Sequence, residues 1–299
     1  VEQNQETLTA CPVCNAQELV FYKAITDHSV SKEPFRIESC KNCTFLFTNP
    51  RPSLKAIGRY YESENYISHT ANTKGIFNKI YHFVKKIALK QKLALINEFD
   101  KSPTQQILDI GSGTGSFLEY LLQNKVASEG VEPNDNARSI AQANGIKVFK
   151  NLNEVEDKKY STITLWHVLE HLHDLDQYLN FIHEKLADQS TIIIAVPNHL
   201  SNDARKYLDH WAAWDVPRHL YHFTPKTIQL LLKKYGFILA SQRGMQFDSF
   251  YVSLLSEQYK GSNKAIAAIK AVIAGFISNQ IAKKTGNYSS LIYIFKKSN

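Results

Sequence analysis

Residues 107–115, ILDIGSGTG, constrain this chain more than any other stretch. A short apolar run ends on glycines at three alternate positions, Gly111, Gly113 and Gly115, and a helix-compatible segment follows at once. Glycine carries no Cβ, so a strand can turn sharply into a helix there, and a flat ligand can lie against bare backbone. The pattern predicts a nucleotide-cofactor loop at a strand-to-helix turn of an α/β sheet.

The surroundings narrow the cofactor. A dinucleotide fingerprint, G-x-G-x-x-G, needs glycine at position 116, where this chain has Ser116; the third glycine falls one residue early. Asp109 stands at the strand end, where a carboxylate repels a pyrophosphate and favours a cation. S-adenosylmethionine, which carries a sulfonium and an ammonium, suits that charge. A second strand within VASEGVEPN ends at Glu132, 21 residues after Gly111, close to where doubly wound folds place the carboxylate that binds ribose hydroxyls.

These residues resemble class I S-adenosylmethionine-dependent methyltransferases, whose first motif is an acidic residue followed by G-x-G-x-G and whose second strand ends in an acidic residue. The resemblance covers about two thirds of the chain. It implies S-adenosylmethionine, or its product S-adenosylhomocysteine, as cofactor. By the family pattern Asp109, Gly111, Gly113 and Gly115 line the methionine end, with Ser112 inside the loop. Glu132, followed by Pro133, faces the ribose, and Trp166 and His167 run beside the cofactor.

All four cysteines fall in two C-x2-C pairs, Cys11 with Cys14 and Cys40 with Cys43, separated by 25 residues. Two such knuckles supply the closed tetrahedral thiolate set of a structural zinc site and leave no open position for catalysis. Disulfides would need an oxidising compartment. The N-terminus, VEQNQETLTACPVC, has neither the basic flank nor the apolar core of a secretory signal, so the expected location is cytoplasmic.

Three regions follow: a four-cysteine zinc-binding module over 1–50, a connector with a leading helix over 51–103, and the cofactor-binding domain over 104–299 with a helical insertion at about 249–284. Apolar spacing from Ile76 to Ile96 predicts the leading helix. QILDI, ASEGVEP, IKVF, STITLWH and TIIIAVPN then alternate with helical segments, which argues for a parallel sheet covered on both faces. TPKTIQLLLKKYGF predicts a helix capped by Thr224 and stopped by Gly236. The resemblance makes GFILASQRG and SSLIYIFKK the closing antiparallel pair. The expected fold is therefore a Rossmann-like, doubly wound, seven-stranded α/β sheet, mostly parallel with an antiparallel last strand, carrying a small zinc-ribbon-like module.

Ligands of such sheets bind outside the carboxyl ends of the strands. There WHVLEHLHD offers His167, Glu170 and His171. The same letters spell H-x-x-E-H, a zinc-peptidase signature that belongs inside a helix rather than at a strand end. Some RNA 3′-end and ubiquinone-pathway methyltransferases are similar in placing a Glu-x-x-Glu-His metal site here, with glutamate where this chain has His167. The segment WAAWDVPRHLYHFTP, residues 211–225, is the expected substrate wall. Trp211 and Trp214 can stack, Arg218 can pair with phosphate or carboxylate, and His219 or His222 can accept a proton; Tyr66 of the aromatic connector is a further candidate. Methyl transfer to a hydroxyl or carbon acid needs a base, and His171 or His222 is expected to serve.

Zinc knuckles, connector and methyltransferase domain in this order resemble bacterial small-molecule methyltransferases, including sugar C-methyltransferases with N-terminal zinc modules. The resemblance implies a small-molecule acceptor: a sugar, or a nucleotide-linked or lipid-linked intermediate. Ribosomal guanine methyltransferases, similar in architecture, supply the alternative of an RNA acceptor; a non-catalytic cofactor-binding scaffold is a third reading. RNA-docking modules are basic, whereas residues 1–50 carry a net charge of −2 within a chain of net +7. Residues 225–299 carry +9, either a solvated lysine-rich face or one turned to an anionic substrate or membrane headgroups. The longest late apolar stretch, residues 265–277, is broken by Lys270 and too short to span a bilayer, so it reads as a packed or interfacial helix.

Overall fold

A computed structural model describes residues 4–61 and 76–298. In the N-terminal part, β1 (Gln5–Glu6) precedes an antiparallel run of β2 (Leu19–Thr26), β3 (Pro34–Cys40) and β4 (Leu46–Thr48), after which β5 (Arg51–Pro52) returns to pair with β1. The two knuckles share a local cause. Asn15 and Thr44, each just past the second cysteine of its pair, have φ of 60° and 65°, and their N–H groups donate to the carbonyls of Cys11 and Cys40 at 2.9 Å. The chain thus doubles back so that both thiols of each pair face the same way.

The remainder runs α1 (Ile76–Phe99), β6 (Gln106–Ile110), α2 (Ser116–Gln123), β7 (Ala127–Val131), α3 (Asp135–Ala143), β8 (Val148–Phe149), β9 (Tyr160–Trp166), α4 (Leu175–Lys185) and β10 (Leu186–Pro197). It continues α5 (Asn202–Tyr207), β11 (Tyr221–His222), α6 (Pro225–Lys234), β12 (Phe237–Met245), α7 (Asp248–Tyr259), α8 (Lys264–Thr285) and β13 (Ser290–Lys297). Seven strands form one sheet in the order β12-β13-β10-β9-β6-β7-β8, and only β13 runs against the rest. This is the mostly parallel, doubly wound sheet that the sequence predicts. Thr224 caps α6 with Pro225 at its first position, and Thr227 returns a hydrogen bond to complete a capping box.

Side chains alternate between the two faces of the sheet with the period of two that a strand imposes. Leu108, Ile192, Ile194, Tyr293 and Phe295 pack with α4 and α6, while Ile107, Ile193 and Ile294 pack with α1, α2 and α3. The order reverses between β6 and β9, the switch point where such sheets open a crevice beyond their carboxyl ends. The N-terminal sheet is completed from far along the chain: β11 pairs with β4, giving the order β11-β4-β3-β2.

Candidate active site

Beyond β6 the chain turns on its three glycines, at φ of 73°, 55° and 77° for Gly111, Gly113 and Gly115. They are not equivalent. A Cβ at Gly111 would meet Val168 Cγ2 at 2.4 Å and one at Gly115 would meet Ala141 Cβ at 2.8 Å, whereas one at Gly113 would meet nothing within 4 Å among the described residues. Packing therefore requires the outer two, and the middle one leaves bare backbone facing open space. The acidic residues flank this bend. Glu132, just past β7, accepts the Gly113 N–H through Oε2 and the Asn134 N–H through Oε1, both at 2.8 Å. Asp109 is buried and accepts from Thr164 Oγ1 at 2.6 Å.

A cation that the sequence reading missed completes this corner. Lys92 of α1 stands 4.3 Å from the centroid of the Trp166 ring and 5.2 Å from that of Phe117. Burial lowers its pKa to about 8 against the opposing pull of Asp109 and Asp248. Burial likewise raises the Asp109 carboxyl to about 6, with Lys92 and Thr164 opposing. Signals for Lys92 existed: it lies on the helix face that carries Leu89, Leu93 and Ile96, where a lysine is out of place. Among the described residues, Ser112 Oγ and Trp166 Nε1 are buried without hydrogen-bond partners. Bare glycine backbone, orphaned polar atoms and two carboxylates together fit S-adenosylmethionine, whose sulfonium and ammonium would offset buried negative charge.

His167 follows β9 with φ of 57°, a left-handed conformation uncommon outside glycine. Its ring approaches Glu170 Oε1 at 3.3 Å and Asp248 Oδ2, at the start of α7, at 3.1 Å. Burial works against its charge, but the two carboxylates prevail and hold it protonated up to about 10. The H-x-x-E-H letters thus do not converge as a peptidase site: His167 is an ion-pair partner, and Glu170 and His171 lie on a single 3-10 turn rather than inside a helix.

Glu170 is fully buried, and among the described residues, beyond the charge of the His167 ring, neither carboxylate oxygen accepts a well-formed hydrogen bond. Nδ1 of His171 lies 3.0 Å from the Arg218 carbonyl and 3.1 Å from the Tyr61 hydroxyl. Burial and the neighbouring His219 depress the His171 pKa to about 4, so the ring is neutral. His219 sets Nδ1 2.9 Å from the Ala213 carbonyl, and the two rings meet edge to face at 4.6 Å. Glu170, His171 and His219 each present one ligand atom within 4.8 Å of the others, a carboxylate and two imidazoles that could hold a divalent cation.

The residues read as a substrate wall divide. Trp211 and Trp214 are 2% and 4% exposed. Their indole N–H groups donate to Asp203 Oδ2 at 2.8 Å and the Leu208 carbonyl at 2.9 Å. Arg218, 1% exposed, reaches Asp27 Oδ1 at 3.0 Å, Asp215 Oδ1 at 2.6 Å and the Tyr60 carbonyl at 2.8 Å. All three sit where the N-terminal sheet, the 3-10 turns after α5 and the α7–α8 pair pack together. His222 on β11 is buried against Trp214, with Nε2 3.4 Å from Thr48 Oγ1. Of this set, His171 and His219 gather beside Glu170. Tyr66 lies outside the described residues.

In the N-terminal module Cys11 and Cys43 sulfurs lie 3.6 Å apart, and those of Cys14 and Cys40 3.5 Å apart. All four sulfurs lie within 4.8 Å of one another. A tetrahedron with zinc–sulfur bonds of ~2.3 Å has edges of about 3.8 Å, so this all-thiol set fits structural zinc. A cleft of about 550 Å³ lined by Asp100, Ser161, Asp188 and Lys296 contains none of these residues and opens at the amino ends of β6, β9 and β10. The chemistry belongs to the carboxyl ends.

Comparison with known proteins agrees with this geometry. The profile described as "Methyltransferase domain" matches residues 77–242. Magnesium protoporphyrin IX methyltransferase from Synechocystis PCC 6803 superposes with a TM-score of 0.52 at 14% identity, covering 82% of this chain and 100% of that one. The plantazolicin methyltransferase does so at 0.50 and 15%, covering 80% and 93%. Phosphoethanolamine N-methyltransferase 2 from Haemonchus contortus does so at 0.50 and 17%, covering 94% and 69%. No curated protein matches the chain by sequence. With a profile that spans more than half of its residues and a sheet order to match, the chain belongs to the methyltransferase-domain family and has the class I S-adenosylmethionine-dependent fold.

Proposed function

We propose that this enzyme methylates a small hydroxylated acceptor, a sugar or a nucleotide-linked or lipid-linked intermediate, at the polar cluster beside the cofactor loop. The observation that carries the reading is the placement of Glu170, His171 and His219 at the carboxyl end of β9, the strand next to the glycine-bearing β6. When bound, S-adenosylmethionine supplies an electrophilic methyl group. Asp109 and Glu132 would hold its positive and ribose ends, and Lys92 would suit its carboxylate. Positioning is the main contribution, because displacement requires nucleophile, methyl carbon and sulfur in line. His171 would take the acceptor hydroxyl's proton at Nε2, because its Nδ1 faces the Arg218 carbonyl and carries the ring hydrogen. What supports His171 over His222 is a neutral ring beside a buried carboxylate, Glu170, able to stabilise the imidazolium that forms. His222 has no carboxylate among the groups that set its charge; burial, His219 and His199 all disfavour protonation.

The neighbours' names span a porphyrin, an aminoalcohol phosphate and a peptide product, so the fold leaves the acceptor open. An RNA acceptor is disfavoured by the acidic balance of the zinc module. The test is calorimetry followed by turnover. The zinc-loaded protein should bind S-adenosylmethionine and S-adenosylhomocysteine but not a nicotinamide dinucleotide. Labelled methyl should then pass to members of a sugar and sugar-nucleotide panel; label found only in RNA would reject the acceptor class, and no donor binding would reject the whole reading.

A further inference from the structure

Helix α8 is built inside out. Its protein-facing side carries small residues, Ala267, Ala271, Ala274, Gly275, Ser278 and Ala282, all buried. The opposite side turns large apolar groups to solvent: Ile269 is 64% exposed, Val272 61%, Ile273 53% and Phe276 58%, with Ile266 and Ile277 beside them. The helix of a water-soluble domain normally buries such residues and exposes polar ones. Small residues toward protein and large apolar ones outward is the arrangement of helices that face lipid. The buried side is also tied down: a Cβ on Gly275 would strike the Phe250 ring at 2.5 Å, and Ser278 donates to Asp203 Oδ1 at 2.6 Å.

Charge selects what covers this face. α8 carries four lysines and no acidic residue. Lys270 in the middle pairs with Glu257 at 3.5 Å, which leaves Lys264 at one end and Lys283 and Lys284 at the other, with Lys260 in the preceding turn, all exposed. A second copy laid on this helix would set lysine ends against lysine ends. An anionic lipid surface meets them with opposite charge while taking the apolar side chains among its acyl chains. By length and composition, 22 residues with a mean hydropathy of 1.6 over the most apolar stretch, α8 could cross a bilayer. The bonds of Ser278 to Asp203 and of Asn279 Nδ2 to the Gln246 carbonyl at 2.8 Å hold it against the domain instead, with its large apolar side chains along the surface.

We infer that the outward face of α8 docks this enzyme on anionic membrane surfaces. α8 connects to the candidate site through its neighbour: it packs on α7 at Phe250, and the first residue of α7, Asp248, pairs with His167. The experiment is flotation of the full zinc-loaded chain with phosphatidylcholine vesicles, with and without phosphatidylglycerol. The wild type should float with the anionic vesicles, less so at high salt. An Ile269→Ser/Ile273→Ser/Phe276→Ser variant should lose about tenfold or more of that partitioning, and a Lys283→Glu/Lys284→Glu variant should lose its preference for anionic lipid. Because every substituted side chain is exposed, S-adenosylhomocysteine affinity should be unchanged in both, which separates docking from folding and from the methyltransferase reading. Wild-type protein that stays with the dense fraction overturns the inference, as does flotation insensitive to the triple substitution. A light-scattering dimer abolished by that substitution would assign the face to a second copy and overturn it equally.

Discussion

Asp109 carries the clearest consequence for a single residue. Burial raises its pKa to about 6, so above this value the carboxylate is ionised and, in the role proposed for it, would attract the cationic donor; below it that attraction would be lost. Donor affinity measured by calorimetry should therefore fall as pH drops through 6, by up to about tenfold per unit, and Asp109→Asn should bind weakly with a flattened profile. An unchanged profile in that variant would assign the titration elsewhere. At the proposed base, His171→Ala should lower kcat about 100-fold or more while leaving donor affinity intact. His222→Ala should instead lower the thermal midpoint, since the ring is packed between Trp214 and Thr48. Asp109 and Glu132 were legible in the sequence because strand ends and glycines fix where they stand. Arg218 was not: an arginine between two tryptophans and two histidines reads as a ligand clamp until Asp27, 191 positions away, is seen to occupy it.

Among the elements, the glycine loop behaves as two packing contacts around one open turn. Gly111→Ala forces a Cβ to within 2.4 Å of Val168 Cγ2 at a φ of 73°, so it should cost about 1–3 kcal/mol in a denaturant titration and weaken the donor with it. Gly113→Ala meets no protein atom, so its effect should fall chiefly on donor affinity; a denaturant midpoint lowered as far as in Gly111→Ala would contradict the distinction. Most strands and helices of the large sheet were readable, a strand such as TIIIAVPN from a short β-branched apolar run closed by Pro-Asn and a helix such as TPKTIQLLLKKYGF from its spacing and caps; the two-residue β8 was marked only by its place between helical segments. β11 was not, since two residues show no period and their partner β4 lies more than 170 positions earlier. For α8 the apolar content was plain, but which side it faces depends on the small residues that let it approach α7, and periodicity alone predicts the reverse.

Across the whole molecule, the zinc knuckles and the methyltransferase sheet share one apolar core. Cys11, Val13, Cys40, Cys43, Phe45 and Phe47 are continuous with Leu169, Leu172, Leu220, Tyr221 and Phe223. The backbone runs the same way: Thr48 N–H donates to the Leu220 carbonyl at 2.9 Å, and Leu220 N–H donates to the carbonyl of Glu170 at 2.8 Å. Two hydrogen bonds thus separate the zinc-bearing sheet from the proposed acceptor cluster, so metal loss should be felt there. Structural zinc contributes on the order of 10 kcal/mol to small modules that depend on it. Removing it by chelation, or by Cys40→Ser, should lower the thermal midpoint by about 10 °C or more. It should also cut turnover in the same step, with loss of one equivalent of zinc by elemental analysis. The order of events decides whether the core is truly shared. If calorimetry resolves a separate low-temperature transition for the apo module while the remaining domain melts as before and keeps its activity, the module is an independent attachment; a single transition displaced as a whole means that the zinc site holds β11, and through it Glu170 and His171, in place.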